Sequence, residues 1–151
     1  MALKSEYYSL ILSSFVCLFT LITPTISNAE SEQTPEQIDG TTRINAEQLI
    51  NLAETLADIT IIDARIGKDR IHGYIEGSIS LPNTKTDCES LSKVVKSANH
   101  PTVYYCNGPK CGRSVKSIKI AQTCGYNNIY WYRGGFEDWK EKDYPFLKDN
   151  K

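Results

Sequence analysis

The sequence predicts an α/β domain with a mainly parallel central sheet flanked by helices. Three observations predict it. Residues 59–62 (ITII), 102–105 (TVYY) and 129–132 (IYWY) are short runs rich in β-branched and aromatic residues, the character of strands buried on both faces. Segments with apolar residues at helical spacing lie around and between them. The two kinds of segment alternate along the chain, which is how a parallel sheet with crossover helices reads.

In chain order, Asn45, Ala46, Glu47 and Gln48 have the arrangement of a capping box. Leu49, Ile50, Leu52, Ala53 and Leu56 then form a helical apolar face. The strand at 59–62 ends at Asp63, Ala64 and Arg65. Residues 77–81 (GSISL) read as a second short strand, closed by Pro82. Thr86 and Glu89 suggest another capping box, opening a helix through Leu91, Val94 and Val95 that His100-Pro101 breaks. The strand at 102–105 runs into Cys106. From Ser114 a helix carries Val115, Ile118, Ala121 and Cys124 inward, with Lys116 and Lys119 on its solvated face, and Gly125 ends it. The strand at 129–132 stops at Gly134-Gly135, and residues 136–142 form a last short helix with Trp139 facing inward. The aromatic side chains of IYWY are expected in the core, and His72 and His100 on the surface.

The N-terminus differs from the rest. Lys4, an apolar stretch centred on LILSSFVCLFTLI, and small residues at Ser27 and Ala29 have the layout of a secretory signal peptide cut after Ala29. The alternative is an uncleaved anchor, since about 20 apolar residues span a bilayer. Residues 30–41 are expected as a flexible tether and residues 42–148 as one domain. The predicted location is therefore exported, periplasmic or secreted, with membrane contact only if the N-terminal segment stays in place. The formal net charge of −1 argues against nucleic acid as the main partner.

Four cysteines remain beyond the signal segment: Cys88, Cys106, Cys111 and Cys124. In an exported chain four cysteines suggest two disulfides, with three possible connectivities. Cys88 and Cys124 read as core residues or a structural pair. The Cys106-x4-Cys111 spacing does not fit the paired Cys-x2-Cys zinc signature, so neither a metal nor another cofactor is expected.

The chemistry concentrates where the strand at 102–105 meets the following helix. In parallel sheets ligands bind at the carboxyl ends of strands, and Cys106 stands at such an end. The loop from Asn107 to Gly112 contains two glycines and a proline, a composition that lets successive N–H groups turn inward. The helix start adds unpaired N–H groups and the positive end of its dipole. Lys110 and Arg113 add full positive charge. All of these favour an anion, either a thiolate or an incoming oxyanion. The expected result is a lowered thiol pKa and a nucleophilic Cys106. A lone buried cysteine would otherwise read as a small hydrophobe.

Five motifs in order resemble the rhodanese (sulfurtransferase) family. They are Asp63-Ala64-Arg65, the GYIEGSISLP stretch at 73–82, the loop from Tyr105-Cys106 to Arg113-Ser114, Gly125-Tyr126 with Ile129, and Gly134-Gly135 with Trp139. The resemblance covers roughly Thr42 to Phe146. It implies a three-layer fold, with Asp63 and Arg65 as a structural motif. It also implies that Cys106 accepts a sulfane sulfur, for example from thiosulfate, as a persulfide and passes it to a thiol or cyanide. Asn107, Gly108, Lys110, Gly112, Arg113 and Ser114 would then bind the persulfide and the anionic donor. One departure stands out. Many single-domain members place four residues between the cysteine and the arginine; here six intervene. Related cysteine-based phosphatases place five there, so the spacing fits neither pattern. Cys111 lies inside this longer loop as a possible resolving thiol, as an oxidative lock on Cys106, or as a packing residue. The alternative to a sulfurtransferase is a binding or thiol–disulfide module on the same fold.

Overall fold

A computed structural model describes residues 34–149. The expected signal segment and the first residues of the expected tether lie outside them. Five strands form one sheet: β1 (Thr41–Ile44), β2 (Thr60–Asp63), β3 (Ser78–Ser80), β4 (Thr102–Tyr105) and β5 (Ile129–Tyr132). Their spatial order is β1-β5-β4-β2-β3, and every neighbouring pair is parallel. β4 is therefore the central strand.

Side-chain alternation along the strands divides the core into two layers. Tyr104, Ile129 and Trp131 face one side, where they meet Leu91 of α2 (Cys88–Ser92) and Val115, Ile118 and Ala121 of α3 (Arg113–Thr123). Val103, Tyr105 and Tyr132 face the other, against Ala46 and Leu49 of α1 (Ala46–Thr55) and Phe136 and Trp139 of α4 (Gly135–Glu141). The result is the three-layer α/β arrangement the sequence predicts.

Local signals decide most boundaries. α1 begins with the expected capping box: the Asn45 side chain accepts from the Gln48 N–H at 2.8 Å, and the Gln48 side chain accepts from the Asn45 N–H at 2.9 Å. The second box differs from expectation. Asp87 and Ser90 form it, not Thr86 and Glu89. The Thr86 hydroxyl is turned inward, donating to the Pro82 carbonyl at 3.1 Å and meeting Ser117 Oγ at the same distance. α2 is also shorter than expected, ending before Val94 and Val95.

Three further differences follow from tertiary packing. β1 was not foreseen, because TTRI is mostly exposed and sits at the sheet edge. Part of the expected tether is packed: Ile38 is buried in the core, and Arg133 donates to the Pro35 carbonyl and to Glu36. His100 is buried rather than on the surface, with Nε2 3.0 Å from the Thr60 hydroxyl. His72 is exposed, as expected.

A disulfide joins Cys88, the first residue of α2, to Cys124, just after α3. It is the structural pair that the sequence left as one of two readings.

Candidate active site

Cys106 is the first residue after the central strand, and α3 starts at Arg113. Between them lies the loop that the sequence singled out. Its first two peptides are anchored from the side. Phe136 N–H donates to the Cys106 carbonyl at 2.9 Å, and Glu137 N–H donates to the Asn107 carbonyl at 2.7 Å. These donors belong to the first turn of α4, which has no side-chain cap, so the loop itself satisfies them. The contact requires Gly135. Its φ is +63°, and a Cβ there would lie 2.5 Å from the Cys106 carbonyl oxygen. At Gly108 the neighbour is a side chain instead: a Cβ there would meet the Glu137 carboxylate, which is exposed and able to swing aside.

The outer half of the loop is a turn. Cys111 N–H donates to the Gly108 carbonyl at 3.0 Å, leaving Pro109 and Lys110 exposed. Thr34 reaches the same turn and donates its hydroxyl to the Pro109 carbonyl. The turn returns Cys111 to Cys106, and the two are joined as a disulfide with their Cα atoms 6.2 Å apart. Cys111 stands two residues before the start of α3, so this bond also holds the Cys106 sulfur near the N-terminal end of that helix.

The remaining predicted residues divide by role. Gly112 is the N-cap of α3, and its carbonyl accepts from Lys116 N–H at 3.0 Å. Arg113 is partly exposed and pairs with Asp69 at 2.6 Å, so its charge is steadied by a carboxylate at the site. Ser114 was placed with the anion-binding residues, but its hydroxyl faces the core and accepts from the Trp131 indole at 3.1 Å. Only its backbone remains at the helix start.

Asp63 and Arg65 form the buried support. Arg65 binds Asp63 in a forked pair, Nε to Oδ1 at 2.8 Å and Nη2 to Oδ2 at 2.7 Å. The Tyr105 hydroxyl donates to Asp63 at 2.9 Å, and Arg70 reaches the same carboxylate at 3.3 Å. Burial disfavours the Arg65 cation, but the Asp63 hydrogen bond and charge outweigh it and hold the guanidinium above its ordinary pKa. Burial, reinforced by the Asp63 charge, pushes the Tyr105 phenol up, so it stays a neutral donor. Arg65 also stacks on Phe136, 4.5 Å from the ring centre. This links the network to the residue that anchors the Cys106 carbonyl.

A cavity of about 380 Å³ opens beside the loop, lined by Arg65, Asp69, His72, Asn107, Phe136, Glu137 and Lys140. Asp69, Glu137 and Lys140 were missed in the sequence. Asp69 is 44 residues from its partner Arg113, and no local spacing announces such a pair.

Comparison with protein families matches residues 45–142 to the rhodanese-like domain. No curated protein sequence matches the chain. Among solved structures it resembles a Bacillus halodurans protein, at TM-score 0.63 and 20% identity, over 72% of this chain and 77% of that one. A rhodanese-related protein from Thermoplasma volcanium matches at TM-score 0.58 and 24% identity, over 72% of this chain and 99% of that one. A thiosulfate sulfurtransferase from Pseudomonas aeruginosa matches at TM-score 0.62 and 18% identity, over 74% of this chain but 21% of that one. At these identities the solved structures speak for the fold. The family match spans well over half of the sequence, and the chain therefore belongs to the rhodanese-like domain family.

Proposed function

We propose that the protein is a sulfurtransferase that carries a sulfane sulfur as a persulfide on Cys106. The observation that carries this reading is the position of Cys106, at the carboxyl end of the central strand and at the head of the loop that runs into α3. With the disulfide open, the Cys106 thiolate attacks the outer sulfur of an anionic donor such as thiosulfate. The donor's S–S bond breaks, and sulfite leaves with the electron pair. The positive end of α3 and Lys110 favour both the donor and the persulfide anion, and Arg113 adds its charge when it turns from Asp69 to the donor. The acceptor is a thiol or cyanide. Two disulfides suit a chain exported to an oxidising compartment, and we place the protein there.

The test is thiocyanate formation from thiosulfate and cyanide by pre-reduced protein. Turnover is expected, with its loss in Cys106→Ala. Turnover that survives this substitution would remove Cys106 from the reaction. The bonded Cys106 and Cys111 favour one second reading, a dithiol–disulfide module without sulfur turnover. That reading expects no thiocyanate from either protein.

A further inference from the structure

The loop carries two sulfurs, yet transfer to an external acceptor uses only one. The two differ in access. Cys106 is 2% exposed, whereas Cys111 is partly exposed on the outer turn. A bulky acceptor has little approach to a sulfur on Cys106, but Cys111 already lies within bonding reach of it. We propose that Cys111 is the resolving thiol of a Cys106 persulfide, so that the protein releases sulfide and takes its electrons from an external dithiol. This rests on the sulfurtransferase reading of Cys106 given above.

The steps balance. After loading, the Cys111 thiolate attacks the Cys106 Sγ, and the bond between that sulfur and the outer sulfur breaks. The outer sulfur leaves as hydrosulfide with the electron pair. Two cysteine thiols are oxidised to the Cys106–Cys111 disulfide, and the sulfane sulfur is reduced to sulfide. The Cys111 proton passes to solvent. Resetting needs a dithiol. One of its thiolates attacks the accessible Cys111 sulfur and expels the Cys106 thiolate at the N-terminal end of α3, where the helix dipole favours the departing anion. The second thiol of the reductant then frees Cys111 and closes the reductant's own disulfide. The six-residue loop gives this chemistry its place, because the turn closed by the Cys111 N–H to Gly108 carbonyl bond returns the second sulfur to the first.

A single-turnover experiment tests this. Protein is reduced with dithiothreitol, freed of reductant without oxygen, and mixed with thiosulfate. Sulfite, sulfide and cysteine modifications are then measured, the last by peptide mass spectrometry. The wild-type protein should release sulfite and sulfide in equal amounts, with a new Cys106–Cys111 bridge and no lasting persulfide. Cys111→Ser should release sulfite, hold one added sulfur on Cys106 and lose sulfide release. Sulfite release by wild-type protein with a stable Cys106 persulfide and no sulfide would overturn the resolving role while leaving the sulfurtransferase reading intact. No sulfite from wild-type protein would overturn the sulfurtransferase reading itself. If Cys111→Ser fails to fold, the wild-type products alone decide.

Discussion

The two disulfides bracket the same helix and do different work. Cys88–Cys124 closes a separation of 36 residues and ties the start of α2 to the end of α3 on one face of the sheet. Cys106–Cys111 closes a separation of only 5 residues, at the other end of α3. Cross-link entropy grows with the logarithm of the closed loop, so the first is expected to contribute about 4 kcal/mol and the second about 2 kcal/mol. The loop around the second is already secured by the α4 hydrogen bonds to Cys106 and Asn107. The long link constrains the chain, whereas the short one occupies the residue expected to react. A bond can be opened repeatedly in catalysis only where the fold does not depend on it.

The sharpest challenge to this contrast is Asp63→Ala. It leaves the Arg65 cation buried without its partner, at an expected cost of about 3–5 kcal/mol. Guanidinium denaturation measures it. A loss below that of opening the loop disulfide would mean that the site rests on its sulfur bond and not on the ion pair beneath it. Next in size, the Cys88→Ala/Cys124→Ala double variant should lose about 4 kcal/mol and the Cys106→Ala/Cys111→Ala double variant about 2 kcal/mol, from the closed-loop lengths. The same denaturation, run without reductant, compares them. Equal losses would erase the division of labour between the two bonds. Gly135→Ala tests the loop from its other side. The left-handed backbone alone costs an L-residue about 1–2 kcal/mol, and the clash of the new methyl with the Cys106 carbonyl and the Asn107 backbone adds to that. Thiocyanate formation should fall by more than stability alone explains, since the change displaces the loop without touching either sulfur.

Much of this fold was legible because its central strands are buried on both faces. TVYY and IYWY match β4 and β5 residue for residue, since a continuous apolar run has no solvent-facing register to obscure it. β1 was illegible for the converse reason: an edge strand reading Thr-Thr-Arg-Ile carries little hydrophobic signal. The Asp87–Ser90 cap was mistaken for Thr86–Glu89 because tertiary contacts to Pro82 and Ser117 claimed the Thr86 hydroxyl. At the site, the position of Cys106 followed from strand, loop and helix signals that all lie within one short segment. The Asp69–Arg113 pair and the α4 contacts did not, because they join distant parts of the chain. The inward turn of Ser114 depends on where Trp131 lies across the sheet, which a linear pattern does not encode.

The anchoring of the loop at both ends has a consequence for how such a site can vary. Its start is held by α4 at Cys106 and Asn107, and its finish by the first turn of α3 through Gly112. Only the middle is free to change length. Inserting residues into a surface turn costs little, since closure entropy rises slowly with chain length. The two residues beyond the compact spacing are accommodated between fixed posts, and Cys106 keeps its place. Loop length then becomes an adjustable setting of the family scaffold: grafting a shorter middle segment would reshape the turn and remove the second sulfur without rebuilding the sheet.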